Sequence, residues 1–177
     1  MLFKSLDEEI IFHYICSMTR KVVIKPFLLY ALFISTFGFG QTAKEYYSAG
    51  IEKINRNDYY RAISNFSKAI KIWEIEALKK EKKVSQVLDD WDYESYTFCY
   101  FWNGELKQKI NDHKGAISDL TKYIQLLNYD NDKRAYLLRG ISKENLGDLT
   151  GACADWKMAT ALGLDKKNFE WVAEKCN

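Results

Sequence analysis

Aromatic, glycine, alanine and large apolar positions recur along this chain in one fixed register, three times over. The first set is Tyr46, Gly50, Lys53, Asp58, Ala62, Phe66 and Ala69. The second is Tyr100, Gly104, Lys107, Asp112, Ala116, Leu120 and Tyr123. The third is Tyr136, Gly140, Lys143, Asp148, Ala152, Trp156 and Ala159. Measured from each glycine, the offsets are −4, +3, +8, +12, +16 and +19 in all three sets. Residues four apart share a helical face, so each tyrosine and glycine belong to one face of a first helix. The alanine, the large residue four later and the position three after that form the stripe of a second helix. Between them stand Asn57-Asp58, Asn111-Asp112 and Gly147-Asp148, which are turn and N-cap chemistry. Each set predicts a helical hairpin whose glycine and alanine let the two backbones approach. One hairpin cannot bury its apolar face, so the hairpins must stack. The fold class expected is all-α, an antiparallel helix-hairpin solenoid of three repeats.

The spacing between sets predicts the domain layout. Ala116 to Ala152 is 36 residues and Ala62 to Ala116 is 54. The repeats are placed at about 43–76, 97–130 and 133–163, with an insertion over about 77–96. The insertion carries a basic run from Lys79 to Lys83 and an acidic one from Asp89 to Glu94. It reads either as a solvated helix extension with a connecting loop, or as an acidic loop that meets a partner or a cation. Ala77, inside it, is expected to tolerate a larger side chain. After Gly163 a short helix over about 167–176 is expected. Phe169, Val172, Ala173 and Cys176 fall on one of its faces, and a stacked array needs such a cap over its last open side.

The recurring positions resemble the tetratricopeptide repeat, over residues 43 to about 162. That family places an aromatic, a small residue, Ala, a large apolar residue and Ala at these offsets, with a period of about 34 residues. The closing unit, Leu146 to Lys157 with Ala161-Leu-Gly-Leu after it, is similar to that of short exported bacterial members. The chain departs from the family at Lys53, Lys107 and Lys143, where a large apolar residue is usual, and at Tyr123, where alanine is usual. No proline closes a unit.

The resemblance implies a binding module whose first helices line a concave groove, with a protein or peptide as partner. By register the groove takes Tyr47, Ile51, Ile54 and Asn55 from the first unit. The second supplies Phe98, Phe101, Glu105, Gln108 and Lys109, and the third Arg134, Leu137, Ile141, Glu144 and Asn145. Some of the apolar ones could instead pack only between neighbouring units. Family members that bind chaperones hold a peptide carboxylate with lysine and asparagine on these helices. The matching positions here carry Tyr47, Phe101, Ile51 and Glu105, so that clamp is missing and a helix or extended peptide is the better fit.

The N-terminal pattern is of another kind. Arg20, Lys21 and Lys25 precede an apolar run over 26–40 that ends with Gly38 and Gly40. A basic stretch, an apolar segment of this length and small residues before a cut make a secretory signal peptide, placed at 18–40 with cleavage before Gln41. The run is shorter than the ~20 apolar residues of a spanning helix, though an uncleaved membrane anchor is the rival reading. Asp7, Glu8 and Glu9 sit badly ahead of it, so residues 1–17 read as an extension upstream of the true start, Met18. The expected location is therefore outside the cytoplasm, in a Gram-negative type of periplasm, with membrane contact only if the segment is retained.

Composition narrows the function further. The net charge is +2 over 177 residues, and removal of residues 1–40 leaves +1. Near-neutrality argues against a nucleic-acid partner. There is no phosphate-binding glycine loop, nucleophile elbow or paired-histidine zinc motif. His113, on a turn, is the one histidine after residue 40, and no second ligand has recognisable spacing. The expectation is no catalytic residue, metal or cofactor. Four cysteines are scattered. Cys153 takes the stripe position of Ile63 and Ile117, and Cys176 lies on the apolar face of the cap. In an oxidising compartment they either bridge across the cap or remain two buried thiols. Cys99 has no evident partner.

Overall fold

The computed structural model describes residues 41–127, 132–165 and 174–176. The upstream extension (1–17) and signal peptide (18–40) lie outside the described residues. So does most of the expected cap helix, although Glu174 and Lys175 at its end are helical.

Among the described residues there are six α-helices and no strand. They are α1 (Ala43–Asn55), α2 (Tyr59–Lys79), α3 (Asp90–Lys109), α4 (His113–Leu126), α5 (Lys133–Asn145) and α6 (Leu149–Ala161), with a 3-10 turn at Val84–Gln86 before α3. The helices pack most closely as the pairs α1–α2, α3–α4 and α5–α6, and each hairpin stacks on the next through α2–α3 and α4–α5. The chain is an all-α solenoid of helical hairpins.

One turn design is used three times. Asn57, Asn111 and Gly147 take positive φ of 57°, 62° and 84°. The aspartate that follows each of them donates its backbone N–H to the carbonyl of the repeat lysine: Asp58 to Lys53 at 3.0 Å, Asp112 to Lys107 at 2.8 Å, Asp148 to Lys143 at 2.9 Å. This six-to-one closure with a left-handed residue inside it satisfies the last carbonyls of the first helix. The same aspartate then caps the second helix. Its carboxylate accepts from the backbone N–H three residues on, at Arg61, Gly115 and Gly151. One Asn-Asp or Gly-Asp pair thus ends one helix and starts the next.

The glycines have a more specific role than close backbone approach. A Cβ built on Gly50 would lie 2.5 Å from Phe66, and one on Gly104 would lie 2.6 Å from Leu120. On Gly140 it would run into the Trp156 indole. The residue at +16 therefore fills the space that the glycine leaves, and Phe66, Leu120 and Trp156 are fully buried beside Ala62, Ala116 and Ala152. Tyr123 is also buried. Its ring packs at 5.1 Å from Phe101 and its hydroxyl donates to Asp132 at 3.2 Å, so it fills the α4–α5 junction where alanine was expected.

The insertion lengthens two helices. α2 has 21 residues and α3 has 20, against 13 for α1, α5 and α6. Their extra turns pack together rather than standing in solvent. Trp73 meets Tyr96 edge-on at 6.1 Å, and Glu74 accepts from Tyr96 at 3.2 Å and Tyr100 at 2.9 Å. Ala77 belongs to α2 and is 2% exposed, which overturns the expectation that it tolerates a larger residue. The period of the α2 stripe carries on through Phe66, Ala69, Ile70, Trp73 and Ala77, so the helix continues as long as its apolar face has something to cover.

Candidate functional site

The first helices α1, α3 and α5 lie side by side. Tyr47 on α1 meets Trp91 on α3 at 6.2 Å, and Arg134 on α5 bonds Glu105 on α3 at 3.4 Å. The residues that the register placed in a groove are found in two different conditions.

Several remain accessible. Ile51 is half-buried against the first core cluster, as is Ile54. Asn55 is exposed. Phe98 is half-buried, 6.4 Å from Phe101 and 5.9 Å from Tyr123. Glu105 is bracketed by Lys109 at 3.2 Å and Arg134 at 3.4 Å, and both cations are exposed. Asn145 is exposed and donates to the Ile141 carbonyl at 2.8 Å.

Others are consumed by packing. Phe101 is 1% exposed, which removes it from the accessible surface. It lies between α3, α4 and α5, with Leu120, Tyr123 and Ala135, and the Arg134 guanidinium covers it 5.1 Å from the ring centre. Gln108 donates to the Leu138 carbonyl at 2.9 Å and to Ser142 at 3.0 Å, so its amide ties α3 to α5. Tyr47 packs on Phe66 at 5.8 Å, and burial raises the pKa of its hydroxyl. Leu137 and Ile141 pack on the third cluster together with Cys176, and Glu144 pairs with Lys175.

The sequence reading missed two features. One is Trp91, at the start of α3, which stands beside Tyr47 on the same side. The other is an ion pair between the two helices of each of the last two hairpins. Lys107 bonds Asp119 at 2.7 Å, and Lys143 bonds Asp155 at 2.9 Å. Each aspartate is at +15 from the glycine, facing the lysine at +3. In the second and third units the lysine that departs from the family pattern is thus paired. Arg139 also holds Asp155 through two bonds, at 2.9 and 2.6 Å, and reaches Thr121 at 3.2 Å. Burial pushes the Asp119 carboxyl up, against the pull of Lys107. In the first unit the +15 position is Asn65, so the ion pair is absent there.

Cys153 and Cys176 are joined in a disulfide with Cα atoms 5.5 Å apart. Cys99 is a free, buried thiol, and burial holds its pKa well above the usual value.

The chain matches no protein-family model and no curated protein sequence. Its fold is similar to solved structures of the myosin chaperone UNC-45 from C. elegans, one in complex with an Hsp90 peptide and one with an Hsp70 peptide. Both match with a TM-score of 0.57 and 26% sequence identity, over 77% of this chain and 13% of the chaperone. The likeness therefore concerns a small part of that larger protein. The class that fold and comparison define is a helical-repeat protein.

Proposed function

We propose that this chain is an exported tetratricopeptide-type module that binds a segment of another protein across its first helices and catalyses no reaction. The observation that carries the reading is the alignment of α1, α3 and α5. α1 carries half-buried Ile51 beside exposed Asn55, α3 half-buried Phe98 and exposed Lys109, and α5 exposed Arg134, and this mixture along neighbouring first helices supports the reading. Apolar positions rimmed by polar ones mark interaction surfaces. The likeness to a chaperone crystallised with peptides supports the same reading. The partner is a helix or an extended peptide. A carboxylate tail held by the family's lysine–asparagine clamp is disfavoured, because Tyr47, Ile51, Phe101 and Glu105 occupy those positions.

Site-specific photo-crosslinking in cell envelopes tests this. A crosslinker at Asn55 or Lys109 should capture one partner, whereas one at Tyr60, which is 72% exposed on α2, should not. Equal capture from Tyr60, or capture from Tyr60 alone, would overturn the assignment. For the export reading, N-terminal sequencing should give Gln41. A retained N-terminus would favour a subunit anchored in the membrane instead.

A further inference from the structure

The face of α3 that belongs to the first-helix surface runs beyond the repeat. Phe98, Phe101, Glu105 and Gln108 follow one another at steps of three, four and three. The same rhythm carried backwards reaches Glu94 and then Trp91. Both stand on the turns that the insertion adds to α3. The binding face is therefore longer on α3 than on its neighbours, and its extra length carries an aromatic ring.

That ring is held in place. Tyr47 meets it edge-on at 6.2 Å, the Lys44 ammonium lies 5.0 Å from its centre, and Lys44 is itself bonded to Asp92 at 3.2 Å. Trp91 is nevertheless 49% exposed. A large aromatic that is already ordered and still open loses little freedom on contact, which is why tryptophan dominates binding hot spots. Lys44 is answered by Asp92, and the remaining charges next to the ring along α3 are acidic. Asp90 and Glu94, one residue before and three after it, are exposed, and neither forms an ion pair among the described residues. At the other end of the face, Lys109 and Arg134 flank Glu105.

We propose that the Trp91 end docks a basic side chain: the partner segment lays an arginine or lysine on the open part of the Trp91 ring, with Asp90 and Glu94 balancing its charge. This rests on the reading of the first helices as a peptide site and names the chemistry of the peptide. The ring already takes one cation, Lys44, and a tryptophan face is the strongest aromatic partner for a cation. Arginine fits best, because its planar guanidinium stacks while its edge reaches carboxylates.

The test uses the full chain and fluorescence anisotropy with three labelled nonapeptides, in which leucine alternates with arginine, glutamine or glutamate. The arginine peptide should bind about tenfold tighter than the glutamine peptide, and the glutamate peptide weaker than both. Trp91→Ala should remove most of the arginine preference while affinity for the glutamine peptide stays within about twofold. If Trp91→Ala does not fold by circular dichroism, the surface pair Asp90→Asn with Glu94→Gln decides in its place, with the same loss expected. Equal affinity for the arginine and glutamine peptides overturns the proposal. So does an arginine preference that survives the folded Trp91→Ala or, in its place, the carboxylate pair. In that case the peptide site itself still stands if Ile51→Glu weakens all three peptides. No binding by any of the three overturns both.

Discussion

At the scale of single residues, each hairpin turns on a glycine and the side chain that fills its space. Replacing Gly140 by alanine sets two effects against each other. Alanine favours a helix interior by ~1 kcal/mol over glycine. Its methyl would run into the Trp156 indole, and overpacking costs ~1–3 kcal/mol. The second effect is expected to win, with Gly140→Ala lowering the thermal midpoint. A midpoint that rises would mean that the indole moves aside freely. Ala116→Leu and Ala77→Leu should both destabilise by ~1–3 kcal/mol through the same overpacking, since both sites are buried. A tolerated Ala77→Leu would show that the end of α2 is loosely packed. Asp155 tests the buried charges. It is 4% exposed and answers both Arg139 and Lys143. Truncation to alanine strands two cations, and breaking such a group by removing one partner costs ~3–5 kcal/mol. Urea unfolding of Asp155→Ala should show a loss toward the lower end, because both cations keep some contact with water. A loss below ~1 kcal/mol would mean that water pairs them fully.

At the scale of elements, the sequence was explicit where one residue does one local job. The Asn-Asp and Gly-Asp turns were readable because only a few residue types take positive φ or cap a helix. The lengths of α2 and α3 were not readable. A period of repeat units says where the next unit starts, and it leaves open whether the residues between are loop or helix. Charge runs at Lys79–Lys83 and Asp89–Glu94 favoured a solvated reading, but Trp73 and Tyr96 find each other across the α2–α3 junction, and Ala77 is buried as well. That junction predicts an alkaline sensitivity. Burial, opposed by the hydrogen bond shared with Tyr100 and reinforced by the charge of Glu74, pushes the Tyr96 hydroxyl from 10.0 up to about 12. Between those values the unfolded chain has released the proton and the folded chain still holds it. Stability from this group is then complete below pH 10 and falls as pH rises toward 12. The urea midpoint should drop between pH 10 and pH 12, and Tyr96→Phe should make the drop smaller. An identical drop in the variant would place the sensitivity elsewhere.

At the scale of the whole molecule, the disulfide ties Cys176, near the end of the chain, to α6. Its cysteines are 23 residues apart in sequence, and closing a loop of that size is worth ~3 kcal/mol in the chain-entropy account. Cys176→Ser should therefore lower the thermal midpoint of the oxidised protein by several degrees and leave that of the reduced protein nearly unchanged. Thiol titration of the denatured, unreduced chain from Gln41 onward should find one thiol, Cys99. Three thiols would show that the bridge does not form in the cell. The sequence by itself determined the all-α class, the three hairpins, their turns and the glycine positions. All of these follow from local rules: helical period, capping and left-handed backbone act over a few residues, and the repetition states them three times. Only the tertiary structure decided what each apolar or charged residue on a first helix faces. Phe101 became core, Gln108 became a tie between helices, Lys107 and Lys143 found aspartates, and Trp91 came to stand beside Tyr47. Those outcomes depend on which helices lie side by side. A face that reads as a groove within one helix is a surface only where no neighbour covers it.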